Sequence, residues 1–227
     1  MGLADFPDFD AAMRLRLAAA TDRLAEEFED LYDEETIAVV VDESAQRLST
    51  GGITPFVHIL AERFARERLR ARAQAEGLLA KPVPEVVFVS LTGGGRAQMA
   101  AALLTARAGD TVSVHSAGSQ AMADIDPSVR AVMAESGIDL SSSFTKPLAP
   151  EVLAGADVVV TMGRSVGFVE IPSAVRHLDW RVGDPTGAPP DEVRRVREDI
   201  RRRVDELAAE LAAEVPISVV EARRTGP

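Results

Sequence analysis

The sequence predicts an α/β protein, a doubly wound parallel four-stranded sheet preceded by an all-α three-helix bundle. Three observations carry that expectation. Residues 1 to about 80 place their apolar side chains at helical spacing, in segments separated by short turns. From residue 85 onward, short β-branched runs alternate with helical segments, the pattern of a parallel sheet with crossover helices. The run Asp157–Met162 is built on uninterrupted valines, as a strand covered on both faces requires.

The 227 residues suffice for one substantial domain and a smaller unit. The expected boundaries are 1–80 and 84–220, separated by the stiff linker Lys81-Pro82-Val83-Pro84. In the first unit, Asp8 is expected to cap a helix through about Tyr32 that carries Phe9, Met13, Leu17, Leu24, Phe28 and Leu31. A second helix runs from about Ile37 to Leu48. Its run Val39-Val40-Val41 could belong to a strand, but the surrounding period favours helix. Ser49-Thr50-Gly51-Gly52 forms a turn, and Thr54-Pro55 opens a third helix to about Glu76, with Phe56, Ile59, Leu60, Phe64 and Leu69 inward. Such a bundle reads either as a docking or homodimerisation module or as a plain stabilising unit.

In the second unit, strands are expected at Val86–Val89, Thr111–Ser116, Asp157–Met162 and Val175–Leu178, with a further strand at Ile217–Val220. Helices are expected at Arg96–Ala108, after Asp126-Pro127, after Pro150, and from Asp191 to about Glu214.

Composition narrows the function. A net charge of −11 argues against nucleic acid and anionic membranes as partners, and 4% aromatic content leaves little for base stacking. No apolar run approaches the roughly 20 residues of a membrane span, and no secretory pattern opens the chain, so a cytoplasmic protein is expected. There is no cysteine, which removes disulfides, thiolate metal sites and thiol catalysis from this chain. The three histidines, His58, His115 and His177, are scattered in sequence; neither a metal nor a cofactor is expected. His115 and His177 read as structural, and Trp180 as a loop residue that either packs or lines a pocket mouth. Arg201-Arg202-Arg203 interleaves with acidic residues and reads as a solvated helix face rather than a basic patch.

One stretch has the makings of an anion cradle. Val86–Val89 leads through Ser90-Leu91-Thr92 into Gly93-Gly94-Gly95 and then into a helix headed by Arg96. Glycines let backbone N–H groups approach a ligand, a helix start adds unpaired donors and a positive dipole end, and a guanidinium supplies a planar fork of donors. In doubly wound sheets, ligands bind at the carboxyl ends of strands, where this stretch falls.

The same stretch resembles the phosphate loop of the low-molecular-weight protein tyrosine phosphatases and the arsenate reductases that share their fold. Their motif is Cys, five residues, Arg, Ser; here it is Ser90, five residues, Arg96, Ala97. Further segments match in order: Ser116-Ala117-Gly118, Ala134 to Leu140, Lys146-Pro147-Leu148, Ala156 to Gly163, and Leu178-Asp179-Trp180 through Asp184-Pro185. The resemblance covers residues 84 to 214, lies nearest the arsenate reductase branch, and extends to an N-terminal helical unit found on some actinobacterial members.

The resemblance implies a phosphatase-like sheet, an oxyanion site at Gly93, Gly94, Gly95 and Arg96, and a general acid at Asp184. Asp184-Pro185 also reads simply as a turn. The implied ligands are phosphate, arsenate, sulfate or a phosphorylated ligand. The family's nucleophilic thiolate is replaced by Ser90, a hydroxyl that needs a dedicated base. Three more departures follow: the Ser that supports the thiolate is Ala97, the loop Asn gives way to glycine, and no redox cysteine follows the third strand, where Met162-Gly163 runs into Arg164-Ser165. Three readings stay open. The first is a pseudoenzyme or repurposed member that holds an oxyanion. The second is an active reductase or phosphatase represented by a Cys-to-Ser variant. The third is a dimeric interaction module whose cradle is a relic with Arg96 in a surface salt bridge.

Overall fold

A computed structural model describes residues 9–50, 56–120, 124–163 and 169–214. Three helices come first: α1 (Ala11–Glu27), α2 (Glu34–Thr50) and α3 (Val57–Ala75). Then follow β1 (Glu85–Ser90), α4 (Arg96–Ala108), β2 (Ser113–Gly118), α5 (Pro127–Ala134), α6 (Pro150–Ala154), β3 (Val158–Met162), β4 (Arg176–Trp180) and α7 (Pro190–Glu214). The four strands are all parallel, in the order β2-β1-β3-β4. This is the expected doubly wound sheet preceded by three helices.

Several boundaries move for local reasons. Asp10 caps α1, its carboxylate accepting from the Met13 N–H at 2.7 Å, and the helix stops at Glu27 rather than near Tyr32. Asp33 does the same for α2, accepting from Thr36 at 2.9 Å, so the helix starts earlier than its apolar stripe suggests. The valine run of α2 is helical, and Ser49 and Thr50, expected in a turn, are its last residues. Residues 109–111 form a single 3₁₀ turn, so β2 starts two residues later than Thr111. β4 extends to Trp180, which therefore lies in a strand and packs on Phe88 with ring centroids 5.6 Å apart. The expected cap Asp8, the Gly51-Gly52 turn, the Thr54-Pro55 opening and the Ile217–Val220 strand lie outside the described residues. Among the described residues, no helix is long and apolar enough to cross a membrane.

The inward face of α3 is also corrected. Phe56 and Ile59, expected inward, are 67% and 48% exposed. The buried seam runs instead through Val57, Ala61, Phe64, Ala65, Arg68 and Leu69. Small side chains on that seam let α3 approach its neighbours closely. At one point the approach excludes any side chain: a Cβ on Gly155, at the end of α6, would stand 2.8 Å from the Ala71 carbonyl oxygen.

That approach has a consequence for the sheet. One face is covered by α4, α5 and α7, in a core that includes Val86, Phe88, Val158 and Val160. The other face, which carries Val87, Val89 and Val159, shares one core with α6 and the N-terminal helices. A strand buried on both faces needs cover on both; here the N-terminal helices supply most of the second layer. Arg68, 2% exposed, ties the layer together by donating to the Val40 carbonyl, Ser44 Oγ, Glu43 and Glu151.

A second polar tie joins α3 to the sheet edge. His115 on β2 places Nδ1 2.9 Å from Glu67 of α3 and Nε2 2.9 Å from Glu85 of β1. Both ring nitrogens face carboxylates, so both carry protons, as in the imidazolium. Burial pushes His115 down, but the bonds to Glu67 and Glu85 outweigh it and hold the imidazole up at about 9. Burial likewise pushes Glu67 up, but Lys146 and His115 bring it down to about 2. Lys146 forms a short ion pair with the second oxygen of Glu67, and Gln74 donates to Glu85 at 3.0 Å.

Two signs follow for stability. His115 is raised, so its contribution is full below about pH 6.5 and is lost as pH rises through about 9. Glu67 is lowered, so its contribution is full above about pH 4.5 and is lost as pH falls through about 2. Urea unfolding at pH 6 and 9.5 is expected to show a loss on the order of 2–3 kcal/mol over that interval. His115→Asn should be less stable at pH 6 and should largely abolish the decline.

Candidate functional site

The cradle forms where β1 ends. Ser90 is the last residue of the strand, Leu91 to Gly95 turn, and Arg96 opens α4. The turn depends on glycine at two places. Gly93 has φ +72°, a left-handed conformation costly for residues with a Cβ, and such a Cβ would also stand 2.8 Å from the Gly118 nitrogen. A Cβ on Gly94 would stand 2.8 Å from the Asp124 carbonyl oxygen.

The loop is held by backbone contacts from β2 and the residues after it. Ser90 pairs with Gly118 in the parallel register. The Ser119 N–H donates to the Ser90 carbonyl at 3.0 Å, and the Gln120 N–H to the Leu91 carbonyl at 2.7 Å. Gly118 is itself pressed against the loop, since a Cβ there would stand 2.6 Å from the carbonyl carbon of Thr92. Inside the loop, the Gly93 N–H donates to Ser90 Oγ at 3.2 Å, and the Gly94 N–H to Thr92 Oγ1 at 3.4 Å.

Arg96 is 8% exposed. Its guanidinium crosses Gly163, just beyond β3, so closely that a Cβ there would stand 2.2 Å from Nη1. Gly163 has φ +90°. The guanidinium also meets Asp184, with Nη2 to Oδ2 at 3.2 Å. The other carboxylate oxygen of Asp184 accepts from the Thr186 N–H at 3.1 Å, so the turn reading of Asp-Pro describes the local geometry too. Pro185 closes over the loop, 3.0 Å from where a Cβ on Gly95 would stand. The structure thus brings Ser90, Gly93, Gly94, Gly95, Arg96 and Asp184 together at the carboxyl end of the sheet.

Ser90 is 2% exposed, and its Oγ accepts a loop N–H. Among the described residues, no imidazole or carboxylate is bonded to it. The register explains why histidine does not serve. His115 pairs with Val87, and His177 pairs with Val159, which also pairs with Val87. Both imidazoles therefore start three residues short of Ser90, about 10 Å back along the strands. His115 is engaged with Glu67 and Glu85, and His177 lies 2.9 Å from Thr161 Oγ1. Ala97 is fully buried, and its side chain brings no polar atom to the loop.

Sequence reasoning missed several residues at this site. Gly163 makes room for Arg96; its position at the end of a buried strand was the signal. Asp124 and Thr145 border Gly94, and Asp126 accepts from the Gly187 N–H at 2.9 Å, fixing the turn that follows Asp184. Asp126 was legible only as a helix cap, which it also is, accepting from the Ser128 N–H at 2.8 Å.

The arrangement offers a helix start, a buried guanidinium and glycine backbone at one point, and among the described residues no base is bonded to the hydroxyl. It suits holding an anion better than attacking one. Because the Gly118 contact is backbone on backbone, Gly118→Ala is expected to cost about 1–3 kcal/mol in urea unfolding. Hydrogen exchange should quicken at the Ser119 and Gln120 amides.

Residues 85–217 match the family described as low molecular weight phosphotyrosine protein phosphatase, and residues 17–73 match a protein-tyrosine-phosphatase-like N-terminal domain. An arsenate reductase of Bacillus cereus is 32% identical over 123 residues, which are 53% of this chain and 91% of the relative. A solved thioredoxin-dependent arsenate reductase of Corynebacterium glutamicum superposes with a TM-score of 0.79 at 34% identity, covering 88% of this chain and 98% of the other. Another solved structure, an arsenate reductase in the phosphate binding state, gives a TM-score of 0.51 at 28% identity, covering 57% of this chain and 99% of the other.

Proposed function

The chain belongs to the low molecular weight phosphotyrosine protein phosphatase family, and from that membership we propose that it is a cysteine-less member that holds phosphate or a related tetrahedral oxyanion without performing the family's thiol chemistry. The observation that carries this reading is the divided state of the loop. The groups that would hold an oxyanion lie together: the glycine loop, the start of α4 and the buried guanidinium of Arg96, with the Gly93 and Gly94 N–H groups turned onto Ser90 Oγ and Thr92 Oγ1. The group that would attack is absent. Reducing arsenate takes two electrons, which thiols can supply and a serine hydroxyl cannot. Displacement at phosphorus by Ser90 would need a base, and none is bonded to it among the described residues.

The likeness to an arsenate reductase in the phosphate binding state supports the ligand class. Phosphate, arsenate, sulfate or a phosphorylated ligand all present the same face to the loop. Asp184, in this reading, competes with the anion for Arg96.

Isothermal titration tests the reading. Phosphate, sulfate or arsenate should bind the wild-type chain, and Arg96→Ala should weaken binding at least about tenfold, the worth of a charge-assisted hydrogen bond. Asp184→Asn should tighten it roughly two- to fivefold, since it removes an exposed ion-pair partner. Absence of binding at millimolar anion in all three proteins would sink the proposal.

A second reading, a scaffold lacking only its nucleophile, draws on the Gly93 N–H that still closes onto the side chain at position 90. Ser90→Cys separates the two. Aryl-phosphatase or arsenate reductase turnover by that variant favours an intact scaffold, and activity only after Ala97→Ser is added means that the support for the thiolate was lost too. The relic reading expects Arg96 in a surface salt bridge. Arg96 is paired, but it is buried at the loop rather than at the surface.

A further inference from the structure

We infer that the N-terminal helices are a working part of the oxyanion site, and that the Glu67–Lys146 ion pair is the positioning contact through which α3 sets the phosphate loop. The inference rests on the oxyanion reading of that loop and goes beyond it, because it assigns a role to the helical unit.

The path is short and continuous. Glu67 and Lys146 form their ion pair with each side chain only 14% exposed. At such burial the attraction is screened little, and neither partner can be removed cheaply. The backbone of Lys146 is bonded in turn to Gly118: the Gly118 N–H donates to the Lys146 carbonyl at 2.8 Å, and the Leu148 N–H donates to the Gly118 carbonyl at 3.0 Å. Gly118 and Pro147 form an isolated parallel bridge beside β2. Gly118 is therefore clasped on one side by residues 146–148. On its other side it touches Thr92 and Gly93, the second and third residues of the loop. Displacing Lys146 moves the clasp, and the clasp is the surface on which the loop is seated.

The surroundings make the pair directional rather than general adhesive. α3 is fixed on the sheet independently, by the Gly155–Ala71 contact, by Arg68 on Glu151, and by the core shared with Val87, Val89 and Val159. Losing the Glu67–Lys146 pair leaves those contacts in place. Removing Lys146 also leaves the Glu67–His115 pair, and what it releases is segment 146–148, whose neighbour Thr145 lies beside Gly94; removing Glu67 frees His115 as well. The helical unit thus braces the loop from behind, on the side away from Arg96 and Asp184.

The test uses the full chain. Glu67→Gln, Lys146→Met and the double variant are compared by phosphate titration and by ¹⁵N amide shifts of Gly93, Gly94 and Gly95. Each single variant should weaken phosphate about five- to tenfold and shift the three amides, and the double should be no worse than the weaker single, as residues on one path behave. Lys146→Arg should restore most of the affinity. Arg23→Gln, which breaks the exposed Arg23–Glu62 pair within the bundle, should leave both readouts unchanged. Should Lys146→Met fail to fold, Glu67→Asp tests the same link by shortening it one methylene, with smaller shifts in the same amides. Folded variants with unmoved loop amides and phosphate affinity within twofold of wild type would overturn the inference. If the wild-type chain bound no phosphate, the oxyanion reading would fail, while the amide shifts would still decide whether Glu67 positions the loop.

Discussion

Gly118 and Thr92 approach so closely that a methyl group on Gly118 would stand 2.6 Å from the Thr92 carbonyl carbon. The geometry of the site follows from this seating of one backbone on another. A loop of five residues between a strand and a helix, three of them glycine, has few side chains with which to hold its own shape: Thr92 Oγ1 and the neighbouring Ser90 Oγ each accept one loop N–H. Its shape is imposed from outside, by the Ser119 and Gln120 amides on the carbonyls of Ser90 and Leu91 and by the wall that Gly118 presents. The loop carbonyls are thereby engaged from the β2 side, and the helix start and Arg96 remain at the open end of the sheet.

The wall is only as firm as the layer behind it. A doubly wound sheet needs apolar cover on both faces, and the second face here would expose Val87, Val89 and Val159 without the N-terminal helices. At roughly 25 cal/mol per Å² of buried apolar area, covering three valines is worth several kcal/mol, a large part of the stability of a chain this size. The helical unit and the sheet therefore share one core as well as one polypeptide. The four charges of Glu67, His115, Glu85 and Lys146 sit at that junction in balanced pairs, which is how buried charge is tolerated.

What the sequence disclosed and what it concealed divide along locality. The strand–loop–helix at Val86–Met99 was legible because glycine, apolar period and Arg96 lie side by side in the chain. The alternation from residue 85 was legible for the same reason. Phe56 and Ile59 misled, because the seam of α3 is chosen by two neighbours at once and runs through Ala61 and Ala65, which carry little hydropathy signal. Trp180, expected in a loop, ends β4: Asp179 breaks the apolar run of a strand that is exposed along much of its length. Gly163, Gly118 and Lys146 lie in segments that resemble the family, but their roles rest on what they touch across the fold, which the sequence does not display. His115 was read as structural without a partner in view; its partners are 30 and 48 positions away, on other elements.

The same distinction underlies the proposal that the site holds an oxyanion without attacking it. Holding depends on backbone N–H groups, on the dipole of α4 and on Arg96, and none of these needs the atom at position 90 to be sulfur. Attack depends on that one atom and on the polar support it receives, and here both are changed, to Ser90 and Ala97. Asp184 is the residue whose meaning shifts most. A general acid delivers a proton from one carboxylate oxygen; in this structure Oδ1 accepts from the Thr186 N–H and Oδ2 meets Arg96. Where no bond is being broken, no leaving group asks for that proton. Under that proposal the carboxylate, 57% exposed at the mouth, is a second claimant on the guanidinium, and an arriving oxyanion has to take Arg96 from it. On this reading the affinity of the site is set less by the loop, whose shape is fixed, than by the difference between two anions competing for one arginine.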